Sequence, residues 1–333
     1  NHGRSEELRQ TLRTSRLSAG NYFNLIRNRE NSTWEFRSAT QYAYQPASLL
    51  LEEGKSKFNQ HSFYTDNSAA YLRKYNGFTQ QYKAGIQGER ATMKYIPPTQ
   101  PNDFNASNLS LYFNPYFQLQ RGKGLATLSL PLKAQRYFSQ QRSFLFFNPS
   151  TYLRYKLDYH WTFSLYGSLK RSAGDFSDLY PRLYQTDYRT WRSGNGLFPT
   201  STTQTYNLYG EYKNTVQEFF VTASLTYSRS NRNTLFEQSV SENAIVYTQR
   251  ELPNHSDSWN LSSTLSKGIY DWHLKTSLTL LLSRSNGEQL TRLTDSDQQS
   301  LLQTYRYDYL KAEPKIIWSP ADLFEAEYHA TLG

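Results

Sequence analysis

The chain has no cysteine, and that removes three kinds of chemistry at once: a disulfide framework, a thiolate metal centre and a cysteine nucleophile. Long apolar runs are missing too. One of the longest greasy stretches surrounds Leu280-Leu281-Leu282, far short of the roughly 20 residues a transmembrane helix needs. Helical periodicity is scarce; residues 5–14 (SEELRQTLRT) offer the best case, a single short turn. The six histidines (2, 61, 160, 255, 273 and 329) include no pair at metal-ligand spacing on a predicted element, and there is no HExxH. Nor is there a GxSxG elbow, a Walker loop or a dinucleotide fingerprint. These absences point away from an enzyme, and no cofactor is expected.

Aromatic residues are abundant instead. The 333 residues include 28 Tyr and 19 Phe, and 16% are aromatic, so a disordered chain is excluded. The chain is nevertheless polar on average. That combination suits a sheet that is wet on one side and greasy on the other. The net charge of +9 is spread along the chain without a dense Lys/Arg block. It allows anionic lipid or an anionic ligand, or simply a solvated basic surface. With no basic helix and no RNA-binding fingerprint, nucleic acid is not an expected partner.

What fills the chain is alternation with a period of two. In residues 159–170, Trp161, Phe163, Leu165, Gly167 and Leu169 share one side, and Thr162, Ser164, Tyr166, Ser168 and Lys170 share the other. Residues 217–228 set Phe219, Val221, Ala223, Leu225 and Tyr227 against Phe220, Thr222, Ser224, Thr226 and Ser228. Residues 109–119 and 272–282 follow the same rule. Tight turns are expected near 27–30, 76–77, 121–124, 157–158, 214–216, 267–270 and 319–322. Between them lie long polar connections at 46–56, 96–107, 136–147, 172–204, 229–257 and 284–304. Short and long alternate, which gives about fourteen strands in about seven hairpins, with all tight turns at one end.

A sandwich or propeller has no reason to sort its connections in this way; a transmembrane antiparallel β-barrel does, with short periplasmic turns and long extracellular loops. Backbone groups in lipid must pair internally, so closing the sheet is the all-β solution. Thr and Ser would then face a wet lumen, and Trp and Tyr the interfacial girdles. Pro115 and Pro131 fall inside strand-like runs, where they are expected to mark bulges or interfacial strand ends.

Several hairpins also resemble a known family. FFNPSTYLRYKLDYHWTFSLYGSLKRSAGDFSDLYPRLYQTDYRT (146–190) and NLYGEYKNTVQEFFVTASLTYSRS (207–230) are two of them. WNLSSTLSKGIYDWHLKTSLTLLLSRSNGEQL (259–290) and PKIIWSPADLFEAEYHATLG (314–333) are two more. They are similar to barrel segments of Bacteroidota outer-membrane proteins of the TonB-dependent-receptor type, in the subtype with an N-terminal carboxypeptidase-regulatory-like domain. The resemblance covers most of residues 108–333. It implies a location in the bacterial outer membrane and a larger barrel of 22 strands filled by a plug. Residues 1–333 are accordingly expected to be a partial barrel domain without its plug and final strands. The first residues, NHGRSEELRQ, and the last, EYHATLG, both read as cuts. It further implies uptake of a solute, with TonB contacted through a region outside this segment. The rival expectation is a non-transporting subunit of an outer-membrane assembly or secretion complex. Expected partners are outer-membrane lipid and lipopolysaccharide, and a surface lipoprotein or other subunits of such a complex.

The most suggestive binding segment is YPRLYQTDYRTWR (180–192), where Tyr180, Tyr184, Tyr188 and Trp191 interleave with Arg182, Arg189 and Arg192. Aromatic faces stack on flat or sugar-like ligands, and guanidinium forks pair with carboxylate or phosphate. The plainer alternative is that the aromatics pack the loop against its neighbours while the arginines meet lipopolysaccharide phosphates or water.

Overall fold

In a computed structural model the described residues are 11–333 except 52–53, 97–101, 175, 181, 186–188, 195, 197, 242–243, 294–299 and 322–323. They form one sheet of nineteen strand segments. The first half contains β1 (Thr11–Thr14), β2 (Leu17–Arg29), β3 (Ser32–Leu51), β4 (Gly54–Tyr75), β5 (Phe78–Ile96) and β6 (Asn102–Arg121). Four shorter segments follow: β7 (Gly124–Ser129), β8 (Leu132–Tyr137), β9 (Arg142–Phe147) and β10 (Ser150–Lys156). The second half contains β11 (Trp161–Ala173), β12 (Tyr184–Gln185), β13 (Thr190–Ser193), β14 (Thr200–Asn214) and β15 (Phe219–Val240). It ends with β16 (Ile245–Ile269), β17 (Leu274–Leu293), β18 (Leu301–Ala321) and β19 (Phe324–His329).

The segments reduce to fourteen staves, the number expected from the turns. β1 and β2 both pair with β3 and are one strand with a short break. β7 and β8 both pair with β6, while β10 pairs with β7 and β9 with β8, so each couple is one interrupted strand. β12 and β13 belong to a loop. The β7/β8 and β9/β10 interruptions fall at Pro131 and Pro149, which lack the ladder N–H, while the β1/β2 break at 15–16 lies across from Pro46, whose carbonyl accepts from Ser15 N (3.2 Å). Each proline still accepts through its carbonyl: Leu130 N donates to Pro115 O (3.0 Å), Asn148 N to Pro131 O (2.9 Å) and Leu169 N to Pro149 O (2.9 Å). Pro131 therefore sits at a strand break, whereas Pro115 stays inside β6 opposite Tyr82 without interrupting it.

Period-two alternation becomes two faces. Ile86 lies opposite Leu111, and the row Phe113, Leu132, Phe147 runs across three neighbouring strands. All five are exposed, Leu111 by 58%. A continuous apolar face of this extent faces lipid rather than water. The other face carries Thr222, Ser224 and Thr226 with Asn207, whose amide donates to Ser224 Oγ (2.8 Å) and Thr226 Oγ1 (2.7 Å). The sheet is open: among the described residues no pairing joins β2 to β19.

Tight turns gather at one end. Asn76 and Gly77 both have positive φ (42° and 79°), the backbone a two-residue hairpin needs. At 157–160, Asp158 Oδ1 accepts from Trp161 N (2.7 Å) and His160 N (2.8 Å). Those two bonds hold its carboxyl below the usual carboxylate range. The later turns sit a few residues beyond their expected places, at 215–218 and 270–273.

The opposite end departs from expectation. Most of the long polar connections are continued strand, not loop. β15 and β16 run paired from Phe219–Lys267 out to Val240–Ile245, and β17 and β18 from Leu274–Trp318 to Thr291–Leu301. The 136–147 connection is a four-residue turn between Tyr137 and Arg142. Residues 11–14, expected as part of a helical turn, are strand. Polar residues hydrogen-bond a ladder as well as they form a loop once the hairpin below has set their register, which is why composition misled here. Among the described residues only the 174–199 segment forms a long loop.

The β15–β16 hairpin also exchanges neighbours. Near the membrane β15 lies beside β14, and β16 beside β17. Beyond a register shift at Arg232/Thr234, β16 pairs in parallel with β13, and β15 in parallel with β17. The hairpin is therefore turned over, and it ties the 174–199 loop to β17.

Candidate functional site: the folded-in loop and the crevice beneath it

The loop leaves β11 at Gly174, whose N–H donates to Pro199 O (2.6 Å) and closes the loop's base. A side chain at Gly174 would strike the Pro199 ring and the Asp178 carboxylate, so this crossing requires glycine. The next residues make a 3-10 turn, Phe176–Leu179, that drops Phe176 and Leu179 onto the inner face of the wall. There they are buried with Ala91, Met93, Ala106 and Tyr137. The Tyr137 ring meets Phe144 (6.0 Å), Phe176 (6.0 Å) and Phe198 (4.5 Å) edge-on. Burying a Phe or Leu side chain stabilises by about 1.5–3 kcal/mol, so these two anchors hold the loop against the wall by several kcal/mol.

Of the seven residues singled out in the sequence, the packing role is visible for three. Tyr180 is 2% exposed and meets Phe104 (5.8 Å) and Tyr184 (5.5 Å) edge-on. Tyr184 stacks on Phe58 (5.7 Å), and burial pushes its phenol pKa up. Arg192 pairs with Asp178 (2.8 Å) and lies over the Phe236 ring (4.6 Å), which joins the loop to the turned-over hairpin. Trp191 is half-buried in β13 between Gln185 and Val246. Arg189 accepts through its carbonyl from Ile245 N (2.6 Å), and Arg182 is exposed. Tyr188 lies outside the described residues. Tyr180, Tyr184 and Arg192 are thus brought together as the loop's own scaffold.

The turned-over hairpin has a polar lock. Glu237 is 1% exposed; Arg250 Nε (2.7 Å) and an Arg250 terminal nitrogen (2.6 Å) share its Oε2, and the Ser300 hydroxyl donates to its Oε1. Burial alone would raise the carboxyl pKa. The Ser300 and Arg250 hydrogen bonds outweigh it and hold the group below the usual carboxylate range.

Between the loop stem and the wall lies a cavity of about 550 Å³. Gln60, Glu89, Asn108, Lys133, Gln135 and Lys170 supply its polar lining, and Met93, Phe146 and Phe176 an apolar side. Glu89 and Asn108 are register partners, and Asn108 Nδ2 donates to Glu89 Oε2 (3.2 Å). Asn108 Oδ1 and Ser110 Oγ are buried without a partner. A second cavity of about 570 Å³ lies on the other side of the loop base, between Asp178, Arg192, Phe236 and Tyr305. None of the crevice residues stood out in the sequence. The one available signal, charge at inward positions, does not single them out, because Arg154 opposite Ser164 and Glu211 opposite Thr222 are charged and inward as well.

No family model and no curated protein matches the chain. Solved structures do. BauA, the ferric preacinetobactin receptor from Acinetobacter baumannii, superimposes with a TM-score of 0.54 over 97% of this chain and 58% of that one, at 10% identity. The siderophore receptor PirA from Pseudomonas aeruginosa gives 0.51 over 96% and 67%, at 12% identity. The ferric yersiniabactin uptake receptor FyuA from Yersinia pestis gives 0.51 over 95% and 56%, at 8% identity. At such identities the likeness is one of fold. The fold is therefore that of the β-barrels of these receptors. This chain spans roughly three-fifths of the length of those receptors.

Proposed function

We propose that the protein is the wall of an outer-membrane uptake receptor that takes a solute into the loop-capped crevice. The observation that carries this reading is the inward fold of 174–199. A passive pore needs an open lumen, whereas here a loop with its own aromatic core is anchored on the wall and leaves a ligand-sized space beneath. A plug contributed by chain outside this segment would gate the lumen, and TonB, contacted through that same outside region, would supply energy. Arg182, Arg189 and Trp191 remain the candidates for first contact with a solute, as does Tyr188, which lies outside the described residues; lipopolysaccharide would surround the outer end. The hairpin wording at 146–190 and 259–290 supports the Bacteroidota subtype with a carboxypeptidase-regulatory-like domain.

The test is growth of cells that depend on this receptor, with and without TonB. Uptake should vanish when TonB is deleted; undiminished uptake would overturn the reading.

A further inference from the structure

We propose that the lipid-facing wall of β5–β8 carries a binding site for the phosphate headgroup of lipopolysaccharide, held by Arg90 and Arg136. This rests on the outer-membrane setting of the uptake reading and not on transport itself.

The register fixes which side chains share each row of this wall. Ile86, Leu111, Ala134 and Leu145 stand side by side on neighbouring strands, all exposed. One step further from the tight turns, Leu109 lies opposite Arg136. One step beyond that, Arg90 lies between Phe63 and Ser107. His61, Thr92 and Asn105 form the row above. These rows hold two exposed arginines and no carboxylate. Among the described residues no acid is within ion-pair distance of either guanidinium. Arg136 lies over the Phe138 ring (5.9 Å). Glu89, beside Arg90 in the chain, points the other way and lines the inner crevice. One row higher again, Asp103 already pairs with Lys94 (3.7 Å).

The other flank of the wall differs at the corresponding level. Above the row Leu225, Leu261, Leu282 and Leu310, Arg284 and Arg306 both bond Asp308 (2.7 and 2.9 Å), and Asp257 stands opposite Arg229. Arginines at that boundary have counter-ions within the chain, and those of β5–β8 do not. Arg90 sits just past the roughly 9–11 residues with which a strand crosses the hydrocarbon, counted from Phe78 at the tight turn. In an outer-membrane barrel the end opposite the tight turns is extracellular. The lipid that meets it is lipopolysaccharide, whose headgroup carries phosphates. Two strand spacings and two residues of rise put the backbones of Arg90 and Arg136 about 12 Å apart, so both guanidinium forks reach a single phosphate between them. Ser107, on the strand between, adds a hydroxyl, and the acyl chains lie on Ile86, Leu111 and Leu145. A zwitterionic headgroup would set its own cation against the arginines, and a neutral glycolipid would leave both charges unmet.

The experiment uses the full-length receptor, delipidated in detergent. It is offered rough lipopolysaccharide, the same lipid after dephosphorylation, or phosphatidylglycerol, and retained lipid is counted by mass spectrometry after gel filtration. Wild type should retain the phosphorylated lipopolysaccharide and lose about tenfold with the dephosphorylated form, the equivalent of one charge-assisted hydrogen bond. Arg90→Gln/Arg136→Gln should lose the phosphorylated form by a similar factor. Arg284→Gln, on the flank that supplies its own carboxylate, should match wild type, with folding of both variants checked by circular dichroism. Equal retention of the two lipopolysaccharides would overturn the proposal. So would an equal loss in Arg284→Gln, stronger retention of phosphatidylglycerol, or no retention by wild type. Selective retention together with TonB-independent uptake would instead count against the transport reading alone, and a receptor that fractionates outside the outer membrane would overturn both.

Discussion

Two stretches of the inner wall obey the same alternation and end up as different surfaces. On β14–β17 the inward side is a ladder of small polar groups: Asn207 bridges Ser224 and Thr226, Thr203 bonds Ser230 (3.2 Å), and Thr264 meets Thr279 (3.4 Å). None of those residues is buried. On β5–β9 the inward side holds Ala91, Met93, Ala106, Tyr137 and Phe146, and all five are buried. Hydroxyls that bond one another across strands can face water indefinitely, while Met, Phe and alanine faces need a cover. The loop supplies that cover with Phe176 and Leu179, so inward-facing side chains on the wall decide where the only long loop of the described residues lands.

The largest expected effect comes from removing that cover. Leu179→Asp places a charge in a fully buried site and should release the loop, with a loss of about 2–5 kcal/mol of docking energy. Trypsin cleavage after Arg182 on intact cells would report it as a steep rise in rate. A Ser224→Ala/Thr226→Ala pair on the opposite wall should leave that rate unchanged.

Arg192→Ala should have a smaller effect. Its pair with Asp178 is partly exposed and so is worth about 0.5–1 kcal/mol, with a similar amount from the contact on Phe236. Hydrogen exchange should quicken at 190–193 and 245–248, where β13 and β16 pair, and stay constant in β14.

The smallest effect at neutral pH is that of protonation at Glu237. Its folded carboxyl has a lowered pKa, so its contribution to stability is complete above the ordinary Glu range (about pH 4.3) and is lost as pH falls through the folded value. Protection of the 234–251 hairpin, corrected for intrinsic exchange, should be flat from pH 7 to 5 and drop below pH 4. Glu237→Gln should flatten that drop.

The lipid-facing half of this architecture was legible in the sequence, because a dyad repeat has one reading once tight turns recur at one end. Fourteen staves and the face of Leu109, Leu111 and Phe113 followed from it directly. Strand ends were not legible. In 229–240, 245–257, 284–293 and 301–304 polar residues continue the ladder far above the membrane, and composition cannot separate a polar strand from a polar loop. The segment 180–192 stood out for its aromatics and arginines, but their scaffold role depends on Phe58, Phe104 and Phe236, which come from distant strands. Glu89 and Lys133 were invisible for a related reason. They line one crevice only once distant strands are brought onto the same wall, and a sequence does not display that proximity.

The central claim is that the loop covers one wall and leaves the other open, and the absence of native cysteine in this segment makes it directly measurable. Ala91→Cys and Ser228→Cys place single thiols on the two walls, the first at a position 2% exposed and the second at a half-buried inward one. With a membrane-impermeant maleimide, the account predicts slow labelling at 91, faster labelling at 228, and equal rates once 175–198 is deleted. Labelling at 91 as fast as at 228 with the loop intact would contradict it.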